Sequence, residues 1–249
     1  MDVSKDKLTI SSDQLKMTRE KPRSLFISLG YRTARIARRV LGGERLLRLF
    51  LNGSRLLGRL GFELSGEIYD KAFHNQTKAL SEEFLRRWIP QDGSVIDIGC
   101  GTGRWCQVAS NYAANVVGID YDESLIRRAK EEFVGTNVEY IVGDVTNDLQ
   151  NRTFDLALLT HVIEHIDDAD TLLVSLRSVT QKLIVEVPDF ESDPLNWVRL
   201  WLGCQFYSDA DHVREYTLDI LTAQVEKNGW RVLESRKSGG SVLVAAERA

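Results

Sequence analysis

Three glycines at alternate positions, Gly99, Gly101 and Gly103, follow the apolar run Val95-Ile96-Asp97-Ile98. A chain without Cβ atoms at a sharp turn can bring backbone N–H groups against a ligand just where a helix begins and its first donors lack partners. The same run can also be a plain connection from strand to helix, and its neighbours must decide. Short acids recur downstream: Asp120 stands 21 residues after Gly99 in Val117-Gly118-Ile119-Asp120-Tyr121, and Asp144 follows Gly143. Asp120 is placed to accept both hydroxyls of a ribose, and Asp144 could accept from the exocyclic amine of an adenine. Either acid alone would suit a turn, because Asp bonds its own nearby backbone. Histidine makes up the second group, with His161, His165 and His212 being three of the four in the chain. An imidazole titrates near neutrality and can take a proton from an oxygen or nitrogen. His161-x-x-Glu164-His165 also has the form of a metal motif, but that motif belongs within a helix, and here it straddles a strand end and a loop. Asp211-His212-Val213-Arg214-Glu215-Tyr216 precedes the last helix and reads equally as a helix start whose polar groups satisfy backbone donors.

The elements that carry these residues alternate in the manner of parallel βαβ units. Strands are expected over 94–98, 115–119, 138–142, 154–159 and 183–187, with helices over 103–112, 123–133 and 169–179 between them. A helix over 218–228 then leads to two strands, 230–235 and 242–246, joined by Lys237-Ser238-Gly239-Gly240. That hairpin would add an antiparallel strand to the sheet. Each acid and each of the first two histidines thus falls at or just beyond the carboxyl end of a strand, where open α/β sheets bind ligands.

Upstream of the sheet the chain has a different character. Residues 1–65 carry a net charge of +8 and the remainder −12, which together give the overall −4. Residues 1–20 are polar and aperiodic. From Ser24 to about Leu60 a helical pattern groups Arg32, Arg35, Arg38 and Arg39, and then Arg45, Arg48, Arg55 and Arg59, opposite Leu46, Leu47, Phe50, Leu57 and Leu60. Gly42-Gly43 would break it into two helices, and a further helix is expected from Asn75 to Trp88. Such an arm either lies on an anionic surface or packs with its arginines in water. The acidic remainder argues against nucleic acid as a partner. Three cysteines without paired spacing point to a reducing compartment, so a cytoplasmic protein is expected, at the inner membrane face if the arm binds lipid. The long connection from Pro188 to Asp211 contains Trp197, Trp201, Phe206 and Tyr207 and reads as a lid or as a surface helix on the core.

In order and spacing, VIDIGCGTG, VVGIDYDESLI, VEYIVGDV, FDLALLTHVIEHIDD and LIVEVPD, closed by the strand hairpin, resemble a class I S-adenosylmethionine-dependent methyltransferase over roughly Glu67 to Ala249. The resemblance implies a Rossmann-like, doubly wound seven-stranded α/β sheet, mostly parallel with an antiparallel C-terminal hairpin strand, spanning residues 66–249 behind a helical segment, 1–65. It implies S-adenosylmethionine as cofactor, with Gly99, Cys100 and Gly101 facing its methionine part and Asp97 near the amino group. Asp120 would meet the ribose, Tyr121 the adenine face, Asp144 with Val145 the adenine edge, and His161 would flank the methionine part. Tyr69, in Glu67-Ile68-Tyr69-Asp70, resembles the tyrosine that closes over the cofactor. A dinucleotide dehydrogenase is the competing reading, but its third glycine would stand where Arg104 is. Quinone-pathway O-methyltransferases resemble the chain too and use E-x-x-E-H for a divalent ion; here His161 replaces the first glutamate, and no metal ligand is assigned. The expected reaction is methyl transfer to an oxygen, or less readily a nitrogen, of a small-molecule or lipid- or glycan-linked acceptor, with His161, His165 and His212 as catalytic candidates. No N-P-P-Y type segment follows the fourth strand. The alternative is a peripheral membrane adaptor that binds the cofactor without catalysis.

Overall fold

The computed structural model describes residues 25–133, 135–148 and 152–249, so the polar stretch 1–20 lies outside the described residues. Two helices come first, α1 (Leu25–Leu41) and α2 (Gly43–Trp88), divided at Gly42 as the sequence leads one to expect. The alternation that follows runs β1 (Ser94–Ile98), α3 (Arg104–Ser110), β2 (Asn115–Asp120), α4 (Glu123–Glu132), β3 (Val138–Val142) and α5 (Val145–Asp148). It continues with β4 (Phe154–Thr160), α6 (Ala169–Leu176), β5 (Thr180–Pro188), α7 (Leu195–Leu202), α8 (Leu218–Lys227), β6 (Trp230–Ser238) and β7 (Ser241–Arg248). Side chains start the helices where the sequence offers an acceptor: Asp122 receives the N–H groups of Ser124 and Leu125 ahead of α4, Asp168 that of Thr171 ahead of α6, and Thr217 that of Ile220 ahead of α8.

The chain divides into two compact units, one holding residues 77–192 and 207–249, the other 25–76 and 193–206 of the described residues. The first contains a seven-stranded sheet of order β3-β2-β1-β4-β5-β7-β6. Strands β1 to β5 pair parallel, and β7 runs antiparallel to both β5 and β6. The expected mostly parallel sheet with an antiparallel C-terminal hairpin strand is therefore present. Both faces are covered. Leu172 and Leu173 of α6, Leu221 and Val225 of α8, and Trp230 bury one face; Phe84 and Leu85 of α2, Cys106 of α3 and Ile126 of α4 bury the other. The Trp230 indole N–H donates to the Leu173 carbonyl at 2.9 Å, which makes its complete burial tolerable.

In the second unit Leu51 of α2 buries against Leu202 and Cys204, with Val198 packed on them. Arg199 is only 3% exposed and donates to Asp193 at 2.6 Å and Asn196 at 2.8 Å. The aromatic connection after β5 thus contains a helix, as the second alternative has it, but its packing partner here is α2 and not the core of the sheet. Two expectations for this region change. The helix placed at Asn75 begins 32 residues earlier, at Gly43, because no proline interrupts 43–88 and the glycines within it are tolerated in a helix. The apolar side of the arm is largely in solvent rather than packed: Val40 is 78%, Leu57 71% and Phe50 53% exposed, while Leu46 is buried. No helix among the described residues is long and apolar enough to cross a membrane.

One strand position decides how closely α3 approaches the sheet. A Cβ on Gly118 of β2 would fall 2.7 Å from Cys106 Sγ, 2.9 Å from Cys100 Sγ and 2.9 Å from the Tyr140 ring. Gly118→Ala should lower stability by about 1–3 kcal/mol through overpacking, read as a lower midpoint of urea unfolding.

Candidate functional site

The chain leaves β1 through a loop bound on two sides. Gly99 takes φ +63°, and a Cβ there would lie 2.8 Å from Val162 Cγ2, so the turn presses on the segment after β4. On the other side the Cys100 N–H donates to the Ile119 carbonyl at 3.1 Å. The Asp120 carboxylate, 8% exposed, accepts from Gly101 N–H at 2.9 Å and from Asp122 N–H at 2.9 Å. One acid at the end of β2 thereby holds the glycine loop and starts the turn into α4. Asp120 keeps acceptor capacity on both oxygens after these bonds. Tyr121 beside it is 87% exposed.

Asp97, one residue before the end of β1, is completely buried. Its Oδ2 accepts from Cys106 Sγ at 3.3 Å, and its Oδ1 has no hydrogen-bond partner. Burial pushes its pKa up to about 7, and the Asp120 charge adds to the rise. A buried carboxyl with one unbonded oxygen therefore lies beside the glycine loop. At the end of β3, Asp144 donates its backbone N–H to Asp148 Oδ2 at 2.7 Å, and Val145 begins α5. The Tyr69 side chain lies outside the described residues.

His161 occupies the first position after β4 with φ +57°, a left-handed conformation uncommon for a residue with a Cβ. Its backbone N–H donates to the Glu186 carbonyl at 2.8 Å. The imidazole, half in solvent, lies between two buried acids: Nδ1 is 3.2 Å from Glu164 Oε1 and Nε2 3.8 Å from Glu186 Oε1. Glu186 also accepts from the buried Ser81 hydroxyl at 2.5 Å. Neither Glu186 nor Ser81 stands out as a site residue in sequence, although a glutamate inside the apolar strand Leu183-Ile184-Val185-Glu186-Val187 is a signal in its own right.

The other two histidines meet each other. Residues 163–165 form a single 3₁₀ turn, and the Glu164 carbonyl accepts from Val213 N–H at 2.9 Å, drawing the segment before α8 alongside it. The His165 and His212 rings stand edge to face with centroids 4.7 Å apart. His165 Nδ1 is 3.3 Å from Asp211 Oδ2, and His212 Nδ1 is 3.0 Å from Glu215 Oε1 and 3.0 Å from Ser208 Oγ. All three candidate histidines therefore gather about Glu164, a fully buried acid. Thr217 rather than a residue of 211–216 caps α8, and Asp211 and Glu215 face the histidines, Glu215 also accepting from the Ser208 N–H.

A family model described as a methyltransferase domain matches residues 72–235. The chain is 32% identical over 125 residues, 45% of its length and 18% of the relative's, to the O-antigen chain terminator bifunctional methyltransferase/kinase WbdD of Escherichia coli. It is 29% identical over 186 residues, 74% of its length and 60% of the relative's, to a ribosomal protein L11 methyltransferase of Thermotoga petrophila. It thus spans less than two thirds of either relative. A solved S-adenosylmethionine-dependent methyltransferase from Clostridium acetobutylicum shares the fold, with a TM-score of 0.57 at 13% identity over 76% of this chain and 99% of that one.

The raised pKa of Asp97 makes a stability prediction. The folded state holds this proton up to about pH 7 while the unfolded chain releases it near 3.8. Stability is then greatest below the unfolded value and falls as pH rises to about 7, by on the order of 4 kcal/mol for this fully buried group. Urea unfolding from pH 4 to 8 should show that fall in the native chain and not in Asp97→Asn.

Proposed function

The chain belongs to the methyltransferase-domain family, and from that premise we propose that it transfers a methyl group from S-adenosylmethionine to an oxygen of a small-molecule or lipid- or glycan-linked acceptor, with His161 as the base. The observation that carries this reading is the placement of His161 at the end of β4 between two buried carboxylates, on the segment that touches the glycine loop through Val162 and Gly99. The residues present suit the cofactor. The empty acceptor of Asp97 fits an ammonium, the backbone of Gly99, Cys100 and Gly101 lets a ligand approach closely while the Cys100 and Gly101 N–H groups hold the loop to Ile119 and Asp120, and Asp120 retains capacity for ribose hydroxyls. Tyr121, Asp144 and Val145 would border the adenine. Bound there, S-adenosylmethionine supplies a methyl group already activated by its sulfonium.

The protein's own task is to align the acceptor and take its proton. With the Nδ1 proton directed to Glu164, the Nε2 of His161 is the basic nitrogen and receives the proton of an acceptor hydroxyl. Glu164 and Glu186 then face the imidazolium from two sides and stabilise the charge it gains. The half-exposed ring leaves room for an acceptor, whereas His165 and His212 turn toward their own acids. An acceptor joined to a lipid or glycan is supported by the description of the Escherichia coli relative as an O-antigen chain terminator.

A second reading, a membrane-bound adaptor without turnover, has one observation in its favour. Along α1, Leu29, Ile36 and Val40 recur at helical spacing and are 59–78% exposed, beside exposed Arg32, Arg35, Arg38 and Arg39. A helix with such faces suits an anionic bilayer surface, and an enzyme acting on lipid-linked acceptors would use the same arm. Reversing these four arginines to glutamate should abolish sedimentation with phosphatidylglycerol vesicles; undiminished binding rejects the membrane role.

Incubation of the protein with methyl-labelled cofactor and a cell extract should label a product that is neither protein nor RNA. Label confined to either macromolecule overturns the acceptor class. With that product as the assay, His161→Ala should lower kcat by about 10²–10⁴-fold while cofactor affinity measured by calorimetry changes little. Asp120→Ala should do the reverse first, weakening cofactor binding at least tenfold, by roughly 1.4 kcal/mol or more.

A further inference from the structure

We propose that Glu164, His165 and His212 form a binding site for one divalent transition-metal ion. Each offers a ligand atom, and the three atoms lie within 4.8 Å of one another. The set is unlike a chance cluster of acids. Both imidazoles have Nδ1 beside acids, His165 by Asp211 and His212 by Glu215, and a proton on each Nδ1 leaves Nε2 with its lone pair for a metal. A carboxylate behind the far nitrogen is the arrangement that fixes the tautomer and aim of a metal-binding histidine. The edge-to-face rings have an interplanar angle of 81°, so the pair does not stack flat against itself.

Glu164 supplies the independent observation. Its side chain is 1% exposed, Oε1 is occupied by His161, and Oε2 is buried with no hydrogen-bond partner. An orphaned carboxylate oxygen inside a protein carries its full desolvation penalty, and a cation beside it removes that penalty. Two imidazole nitrogens with one carboxylate oxygen suit Zn²⁺, Mn²⁺ or Fe²⁺ better than Ca²⁺ or Mg²⁺, which favour oxygen donors throughout. Bond lengths of about 2.0–2.2 Å require the ligands to draw inward. His165, whose side chain is 34% exposed, sits at the open side, where it can adjust and where a further ligand can enter. The ligands come from the turn after β4 and from the segment before α8, so the ion would join two stretches 46 residues apart in sequence. His161 is not in the set; it meets Glu164 at Oε1.

The site is tested by metal binding alone, independently of methyl transfer. The untagged full-length chain, stripped by chelation, should bind one Zn²⁺ per chain in a calorimetric titration. His165→Ala and His212→Ala should each weaken that binding tenfold or more with an unchanged circular dichroism spectrum; His165, being part-exposed, serves if His212→Ala fails to fold. Co²⁺ in place of Zn²⁺ should give ligand-field bands without a thiolate-to-metal charge-transfer band. Less than one ion per chain, unchanged affinity in the foldable histidine variant, or a thiolate band that assigns the ion to a cysteine would each overturn the proposal.

Discussion

Between β1 and β4 the sheet reverses its direction of growth. β2 and β3 lie on one side of β1, and β4, β5, β7 and β6 on the other. Right-handed crossovers in the two directions send their helices to opposite faces, so α3 and α4 cover one core while α6 and α8 cover the other. The loops that leave β1 and β4 must part, and a crevice opens at the carboxyl ends of the central strands. Asp97, the glycine loop, Asp120 and His161 stand at this edge because of that reversal. The contact of Gly99 with Val162 marks where the diverging segments still touch.

Most of this edge could be read from the chain before folding was considered. Strands β1 and β3 have the expected ends, and the others differ by a few residues, because buried parallel strands are short apolar runs closed by Gly and Asp. The histidines were visible as types, but their arrangement was not. His165 meets His212 only because a 3₁₀ turn and a backbone bond from Val213 to Glu164 bring distant segments together, and local patterning carries no record of such a contact. The pairing of Ser81 with Glu186 leaves no mark in local sequence for the same reason, since 105 residues separate them. The expected helical pattern stops near Leu60 and resumes at Asn75, whereas α2 runs unbroken from Gly43 to Trp88 through Gly53, Gly58 and Gly61. Helix formation is cooperative, and isolated glycines within a long helix cost little against propagation on both sides.

Among the carboxyl groups buried at or just beyond the carboxyl ends of the strands, Asp97, Glu164 and Glu186 are the most deeply covered, at 0–3% exposed. A stable core alone would not favour that, since each must lose hydration on folding. Each is partly compensated: Asp97 by the Cys106 thiol, Glu164 by His161, and Glu186 by Ser81 with His161 close by. Each also retains an oxygen without a partner. Local rules of burial are broken together in one place, which is how a functional edge differs from the rest of a core.

The left-handed backbone of His161 sets local stability against the placement of its ring. A residue with a Cβ held at φ +57° carries about 1–2 kcal/mol of local strain that glycine would not. Replacing the histidine with glycine would relax this turn and remove the imidazole together. The strain of the turn and the position of an imidazole between Glu164 and Glu186 therefore rest on one residue.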